Sequence, residues 1–380
     1  MNPAESAQAG HFVGLMSGTS MDAVDAALLD LGPDRFRLVA HHSHPLPKPL
    51  RAVLARLSHP GALPEDAIDL LGAADRQLGE VFAEAALALL AQARIDAGAI
   101  RAIGSHGQTV RHRPPDGERP NPFSLQIGDP HVIAARTGIV TVADFRRRDL
   151  VVGGQGAPLV PPFHRAAFHA PHLGRAIINV GGIANLTLLA PDGTVSGCDI
   201  GPGNCLLDGW IQRHLGLAYD DGGSWAAAHA PHPELLQRLL RHPFLALPPP
   251  KSTGREAFHL DWLDDQLARG TPIPPGRVQA TLLELTASAI AAAVRARRPA
   301  AAEVYLCGGG ARNRALLERL RTLLRPLPVA TTAALGLDPD WVEAAAFAWL
   351  ARQTLLGQPG NLPAVTGASR PVVLGAIYPA

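Results

Sequence analysis

The chain has 380 residues, 47% of them hydrophobic, with a formal net charge of +1 from 34 Lys+Arg against 33 Asp+Glu. Length and composition predict about two domains with real apolar cores and exclude wholesale disorder. The near-neutral balance excludes a protein built to coat nucleic acid or an anionic membrane.

The start, Met1 to Ser6, has no basic stretch leading into an apolar one, so no secretory signal is expected. Phe12–Met16 reads as a short apolar strand, followed by the small-residue loop Ser17–Ser20. Asp22–Asp30 reads as a second strand, Gly32-Pro33-Asp34 as a turn and Phe36–His42 as a third strand. Helical apolar spacing runs over Pro64–Arg94. Its Ala/Leu-rich part, Val81–Ala93, contains Glu84 and Gln92, which marks a buried helix and not a membrane span.

The opening pattern returns in mid-chain. Ala176–Val180 is a strand, Gly181–Asn185 a tight loop, Leu186–Leu189 a strand, Pro191-Asp192-Gly193 a turn and Val195–Ile200 another strand. Both copies read strand, loop, strand, turn, strand, an internal duplication in the order of elements and not in residue identity. Helices follow over Leu206–Leu215 and Val278–Arg297, and from Arg314 to Leu324. Asp338-Pro339 predicts a helix start, with Gly357 as the stop. Two α/β lobes around a ligand-binding cleft are expected, 1–172 plus 346–380 and 173–345. The three cysteines, Cys198, Cys205 and Cys307, form no CxxC pair and fit a reduced, cytoplasmic chain.

Three small-residue loops follow strands: Gly14–Asp22, the Gly181-Gly182 loop, and Leu306–Asn313. Glycines let backbone N–H groups approach phosphate oxygens, Ser and Thr hydroxyls add donors, and Asp22 or Asp25 could orient a hydrated Mg²⁺. Any one such loop is more often only a tight turn. The only lysines are Lys48 and Lys251, neither after a glycine, so a P-loop is excluded. A protein kinase is excluded by the absence of HRD and DFG, and Gly308–Asn313 lacks the last glycine of a dinucleotide fingerprint.

Eight motifs then stand in one order: GLMSGTSMDAVD (Gly14–Asp25), GSHGQT (Gly104–Thr109), ADFRRRD (Ala143–Asp149), GGQGAPLVP (Gly153–Pro161), NVGGIAN (Asn179–Asn185), DIGPGN (Asp199–Asn204), PKSTGRE (Pro250–Glu256) and CGGGARN (Cys307–Asn313). Together they resemble the anhydro-N-acetylmuramic acid kinases. The resemblance implies the two-lobed actin-like ATPase (ribonuclease H-like) fold, with ATP and Mg²⁺ as cofactors and a homodimer that meets small molecules only. ATP contacts are implied at Gly18, Thr19, Ser20, Met21, Asp22, Ala23, Val24 and Asp25, at Gly181, Gly182 and Asn185, and at Gly308, Gly309 and Gly310. Asp22 would meet the metal through water. Ala23 departs from the family's usual glycine.

The implied reaction needs a base for water, a clamp for phosphates and a handle for a lactyl carboxylate. Asp199, at a strand end before Gly201-Pro202-Gly203-Asn204, is the candidate base and matches the family's catalytic aspartate; a turn aspartate is the plainer alternative. In the run Arg146-Arg147-Arg148, a solvated face competes with bidentate carboxylate binding, and Arg147 matches a family substrate residue. Gln108 and Thr109 suit sugar hydroxyls. His106 reads equally as a sugar contact or a hydrogen-bonded structural histidine, and Glu343 as a sugar contact or a helix-start acid. Two other readings stay open: a plain sugar kinase without ring opening, and an ATP-driven chaperone or filament-type binding protein.

Overall fold

The computed structural model of the protein describes residues 9–18, 21–33, 35–58, 66–117, 120–249, 251–254, 257–297 and 301–380. The expected ATP contacts Thr19 and Ser20, the turn residue Asp34, Pro64 and the motif residues Pro250, Arg255 and Glu256 lie outside them, as do Met1–Ser6. The chain divides into two compact units, Met1–Phe163 with Trp341–Ala380, and His164–Asp340. The boundaries expected at 172/173 and 345/346 differ from these. One reason is plain: Val342–Leu355 is a single helix and cannot be cut at residue 345.

In the first unit, β1 (Gly10–Met16), β2 (Ala23–Leu31) and β3 (Phe36–Pro45) form an antiparallel meander. Strand β4 (Ile100–Ser105) pairs with β1 in parallel. A separate hairpin joins β5 (Gln108–Arg113) to β6 (Phe123–Ile127), and β7 (Thr141–Ala143) lies parallel to β4. The chain's last strand, β13 (Ala376–Tyr378), completes the order β13-β7-β4-β1-β2-β3.

Alternation along β1 explains how this sheet is covered. Val13 and Leu15 join Leu78, Phe82 and Leu89 of the helix Ala67–Ala93 in one core cluster. Gly14 points the other way and pairs in register with Gly104 of β4. Any Cβ at these two glycines would collide with the backbone of Ala344 or Phe347. The alanine-rich helix Val342–Leu355 therefore lies on a patch of sheet stripped of side chains, with its own small residues facing it.

The second unit repeats the path. Its antiparallel strands are β8 (Arg175–Val180), β9 (Ile183–Leu189) and β10 (Val195–Pro202), with β11 (Glu303–Cys307) parallel to β8 and β12 (Val329–Thr331) parallel to β11. The order β10-β9-β8-β11-β12 matches β3-β2-β1-β4-β7 strand for strand. The duplication read from element order is thus a duplication of topology. The helix Pro275–Arg295 is almost wholly buried in this unit's core, beside Ile178, Leu186 and Trp210.

Differences from the expected elements are local. The Gly181-Gly182 loop is tighter than Gly181–Asn185, because Ile183, Ala184 and Asn185 already pair in β9. The last major helix is preceded by a single 3₁₀ turn, Pro339–Trp341, in which Asp338 Oδ1 accepts the Asp340 N–H at 3.0 Å. None of Cys198, Cys205 and Cys307 is in a disulfide. Among the described residues, no helix is long and apolar enough to cross a membrane.

Candidate active site

In the first unit, the loop after β1 and the turn after β4 are joined by their side chains. Buried Ser17 donates its hydroxyl to Gln108 Oε1 at 2.7 Å. Thr109 Oγ1 accepts from Gln126 Nε2 at 3.0 Å, so the start of β5 is fixed on both sides. Met21 closes the first loop with φ 56° and an N–H bond to Gly18 O at 3.2 Å. Met21 and Val24 are buried, so only their backbone is available to a ligand. Asp22 is exposed and ion-paired with Arg51, while Asp25 Oδ1 accepts the Ser43 hydroxyl at 2.8 Å.

His106 is buried, and protein groups engage both ring nitrogens. Nδ1–H donates to Gly107 O at 2.8 Å, and Nε2 accepts from Nη2 and Nε of Arg146 at 2.8 and 3.0 Å. The tautomer is therefore fixed. Burial, with the Arg146 charge beside it, holds the ring well below the ordinary histidine range and so neutral. His106 also packs on Phe347, 4.7 Å between ring centres. Glu343 lies one turn before Phe347 on the same helix, which brings it to the same face as that contact.

The arginine run splits. Arg146 is anchored by His106 and by its bond to Gly156 O at 2.8 Å. Arg147 is 57% exposed, its Nε 3.4 Å from Asp144 Oδ1. Burial raises the Asp144 carboxyl against the pull of Arg147. Asp149, fully buried, accepts from Gly156 N at 2.8 Å, Asn361 Nδ2 at 2.7 Å and Thr366 Oγ1 at 2.8 Å. It fastens the Gly153–Gly156 loop to the C-terminal segment. The sequence carries no local signal for this: an aspartate after three arginines looks like a surface charge.

In the second unit, register places Cys307, Asn179, Asn185 and Asp199 in one row across β11, β8, β9 and β10. Directly paired residues share a face, so the row is a polar stripe at the loop end of the sheet. Asn185 Oδ1 is buried with no partner among the described residues. Asp199, 6% exposed, precedes a register shift in β10, and its Oδ2 accepts the Thr253 N–H at 2.9 Å.

The glycine loops divide by what faces them. The Gly181 and Gly182 carbonyls accept N–H bonds from Asn204, Gly203 and Cys205 at 2.8–3.1 Å, tying the loop to the start of the helix Cys205–Leu215. Gly308, at φ 75°, is pressed on Asn179, and Gly310 on Val180. Among the described residues, a Cβ at Gly18 or Gly309 would meet no atom closer than 3.9 Å, and one at Gly181 none closer than 3.6 Å. Those three present bare backbone outward, as a phosphate or nucleoside contact requires. Gly308 and Gly310 are small for packing reasons.

The same architecture carries a family signature from end to end. The family model described as anhydro-N-acetylmuramic acid kinase matches residues 10–380. The curated anhydro-N-acetylmuramic acid kinase of Saccharophagus degradans is 51% identical over 368 residues, covering 97% of this chain and 98% of its own. That of Thiobacillus denitrificans is 52% identical over 375 residues, with 98% of each chain covered. Among solved structures, similarity falls to 12% identity and a TM-score of 0.43 with the activator of 2-hydroxyisocaproyl-CoA dehydratase from Clostridium difficile, over 91% of this chain and 95% of that one. With half the residues identical across nearly the whole length of each curated relative, the chain belongs to the anhydro-N-acetylmuramic acid kinase family.

Proposed function

We propose that the chain opens 1,6-anhydro-N-acetylmuramic acid with water and phosphorylates O6 from ATP, yielding N-acetylmuramic acid 6-phosphate and ADP in peptidoglycan recycling. The observation that carries this reading is Asp199: a buried carboxylate within β10 at its register shift, three residues before the strand ends at Pro202, with one oxygen bonded to a backbone amide. Asp199 takes a proton from water as the water oxygen bonds to C1 and the C1–O6 bond breaks. The released O6 then attacks the γ-phosphorus, and ADP leaves.

The first unit supplies the sugar's handles. Arg147, with its exposed guanidinium, suits the lactyl carboxylate. Gln108, Thr109 and Glu343 suit hydroxyl and amide groups, and His106 acts by fixing Arg146. Gly18, Gly181 and Gly309 offer open backbone to the phosphates and nucleoside. Asp22 is an exposed carboxylate of the hard-oxygen type that Mg²⁺ takes, and it would hold the ion through water in exchange for Arg51. The ion supplies charge neutralisation at the phosphates. A cytoplasmic homodimer is the setting that family resemblance suggests, and sedimentation of purified protein tests the dimer.

The test of the reaction is an assay with the anhydro sugar and Mg-ATP in H₂¹⁸O, read by mass spectrometry. Ring opening places one ¹⁸O at C1 of the phosphorylated product. A phosphorylated sugar without the label would leave a plain sugar kinase, and no product from folded protein would overturn both.

A further inference from the structure

Lys251 is one of two lysines in the chain, and its ammonium is turned inward. It donates to Phe244 O at 2.9 Å and to Leu245 O at 3.4 Å, and stands 4.5 Å from the centre of the Phe244 ring. These carbonyls belong to the short helix Pro243–Ala246. A cation against the carbonyls at a helix end is a favourable arrangement. Burial pushes the ammonium below the ordinary lysine value.

The anchored segment reaches Asp199 twice. Lys251 O accepts the Asp199 N–H at 3.1 Å, and two residues on, the Thr253 N–H donates to Asp199 Oδ2 at 2.9 Å. The segment Lys251–Thr253 thus lies along the outer edge of β10, an edge that no strand occupies among the described residues. On the other side, Leu245 packs so closely on Gly201 that a Cβ there would stand 2.7 Å from its Cδ2. One ammonium therefore holds together the two pieces of chain that flank Asp199 on β10.

We propose that Lys251 is a positioning residue for Asp199: its tether to Phe244 and Leu245 fixes the backbone whose Thr253 amide orients the carboxylate. The proposal rests on Asp199 being the base of the proposed reaction, and its own test separates the two. A base displaced by about 1 Å loses up to about 100-fold in rate without losing substrate binding.

Lys251→Met keeps the length of the side chain and removes the donors. With full-length protein, kcat is expected to fall about 10- to 100-fold while KM for ATP and for the anhydro sugar stays within about threefold. Lys251→Arg, which retains the charge and donors, is expected to recover most of kcat. Amide exchange at Thr253 gives a readout independent of turnover: it should speed up by about tenfold or more in Lys251→Met and in Asp199→Ala alike. Unchanged kcat in folded Lys251→Met, or Thr253 protection unchanged in both variants, overturns the proposal. If Lys251→Met does not fold, Asp199→Ala still decides whether the Thr253–Asp199 bond exists. If the wild-type protein has no activity on the anhydro sugar, the assigned reaction fails, while the exchange data still judge the tether.

Discussion

His164 offers a test of burial that does not depend on the reaction. It is fully buried in the second unit, with Nδ1 2.8 Å from the Thr187 hydroxyl, and burial pushes it down from 6.5 to about 3. Between those two values the unfolded chain binds a proton that the folded chain refuses, so stability falls as pH drops through that window. The slope is about 1.4 kcal/mol per pH unit once pH is well below 6.5, and the integrated loss from pH 7 to pH 5 is about 2 kcal/mol. The perturbation is His164→Gln, which keeps a polar partner for Thr187 and cannot take up the proton. Urea unfolding of both proteins at pH 7, 6 and 5 provides the comparison, and because every carboxylate titrates in both, the difference isolates residue 164. The wild type is expected to lose about 2 kcal/mol more than the variant between pH 7 and 5. Equal losses would refute the argument that His164 is held neutral by burial. His106 and His112, both lowered by burial and the Arg146 charge, act in the same direction in the first unit.

Other expectations follow from single contacts. Asp199→Asn should lower kcat by about 10²–10⁴ with ATP binding retained, measured by steady-state kinetics and calorimetry. Arg147→Ala should raise KM for the anhydro sugar about tenfold or more, since a charge-assisted contact is lost, with little change in melting temperature. Gly104→Ala forces the helix Val342–Leu355 off the sheet and should cost about 1–3 kcal/mol or more in urea unfolding. Asp149→Ala strands the Gly156 amide, Asn361 and Thr366, and should cost about 3–5 kcal/mol by the same measurement.

What the sequence made legible was local. Strand, glycine turn and strand are written in neighbouring residues, so the two meanders and their shared order could be read directly. What it hid was set by distant partners. Gly14 and Gly181 look alike in sequence, yet the first makes room for a helix more than three hundred residues away, while a Cβ at the second would meet only Ile183 O, at 3.6 Å. Nothing within the run Arg146-Arg147-Arg148 says which guanidinium turns inward. His106 and the Gly156 carbonyl decide that for Arg146, and Asp144 turns Arg147 outward. Lys251 carried a motif but no role, because its meaning lies in two carbonyls and one carboxylate that only folding brings to it.

The duplicated frame also shows where the two copies part. In the first meander the carboxylate stands on the middle strand: Asp25 of β2 faces Ser43 of β3 and accepts its hydroxyl. In the second, the middle strand carries the neutral Asn185, and the acid has moved to the outer strand, as Asp199 of β10. An acid on the middle strand is flanked on both sides by its own sheet and is oriented by it. An acid on the outer strand has one side open, and only chain from beyond the meander can hold it there. The Lys251–Thr253 segment does so, with one backbone bond to the Asp199 amide and one to its carboxylate. The same path of strands thus yields a glycine loop beside a sheet-bound carboxylate in one unit. In the other it yields a carboxylate on the outer strand, bonded by a segment from outside the meander.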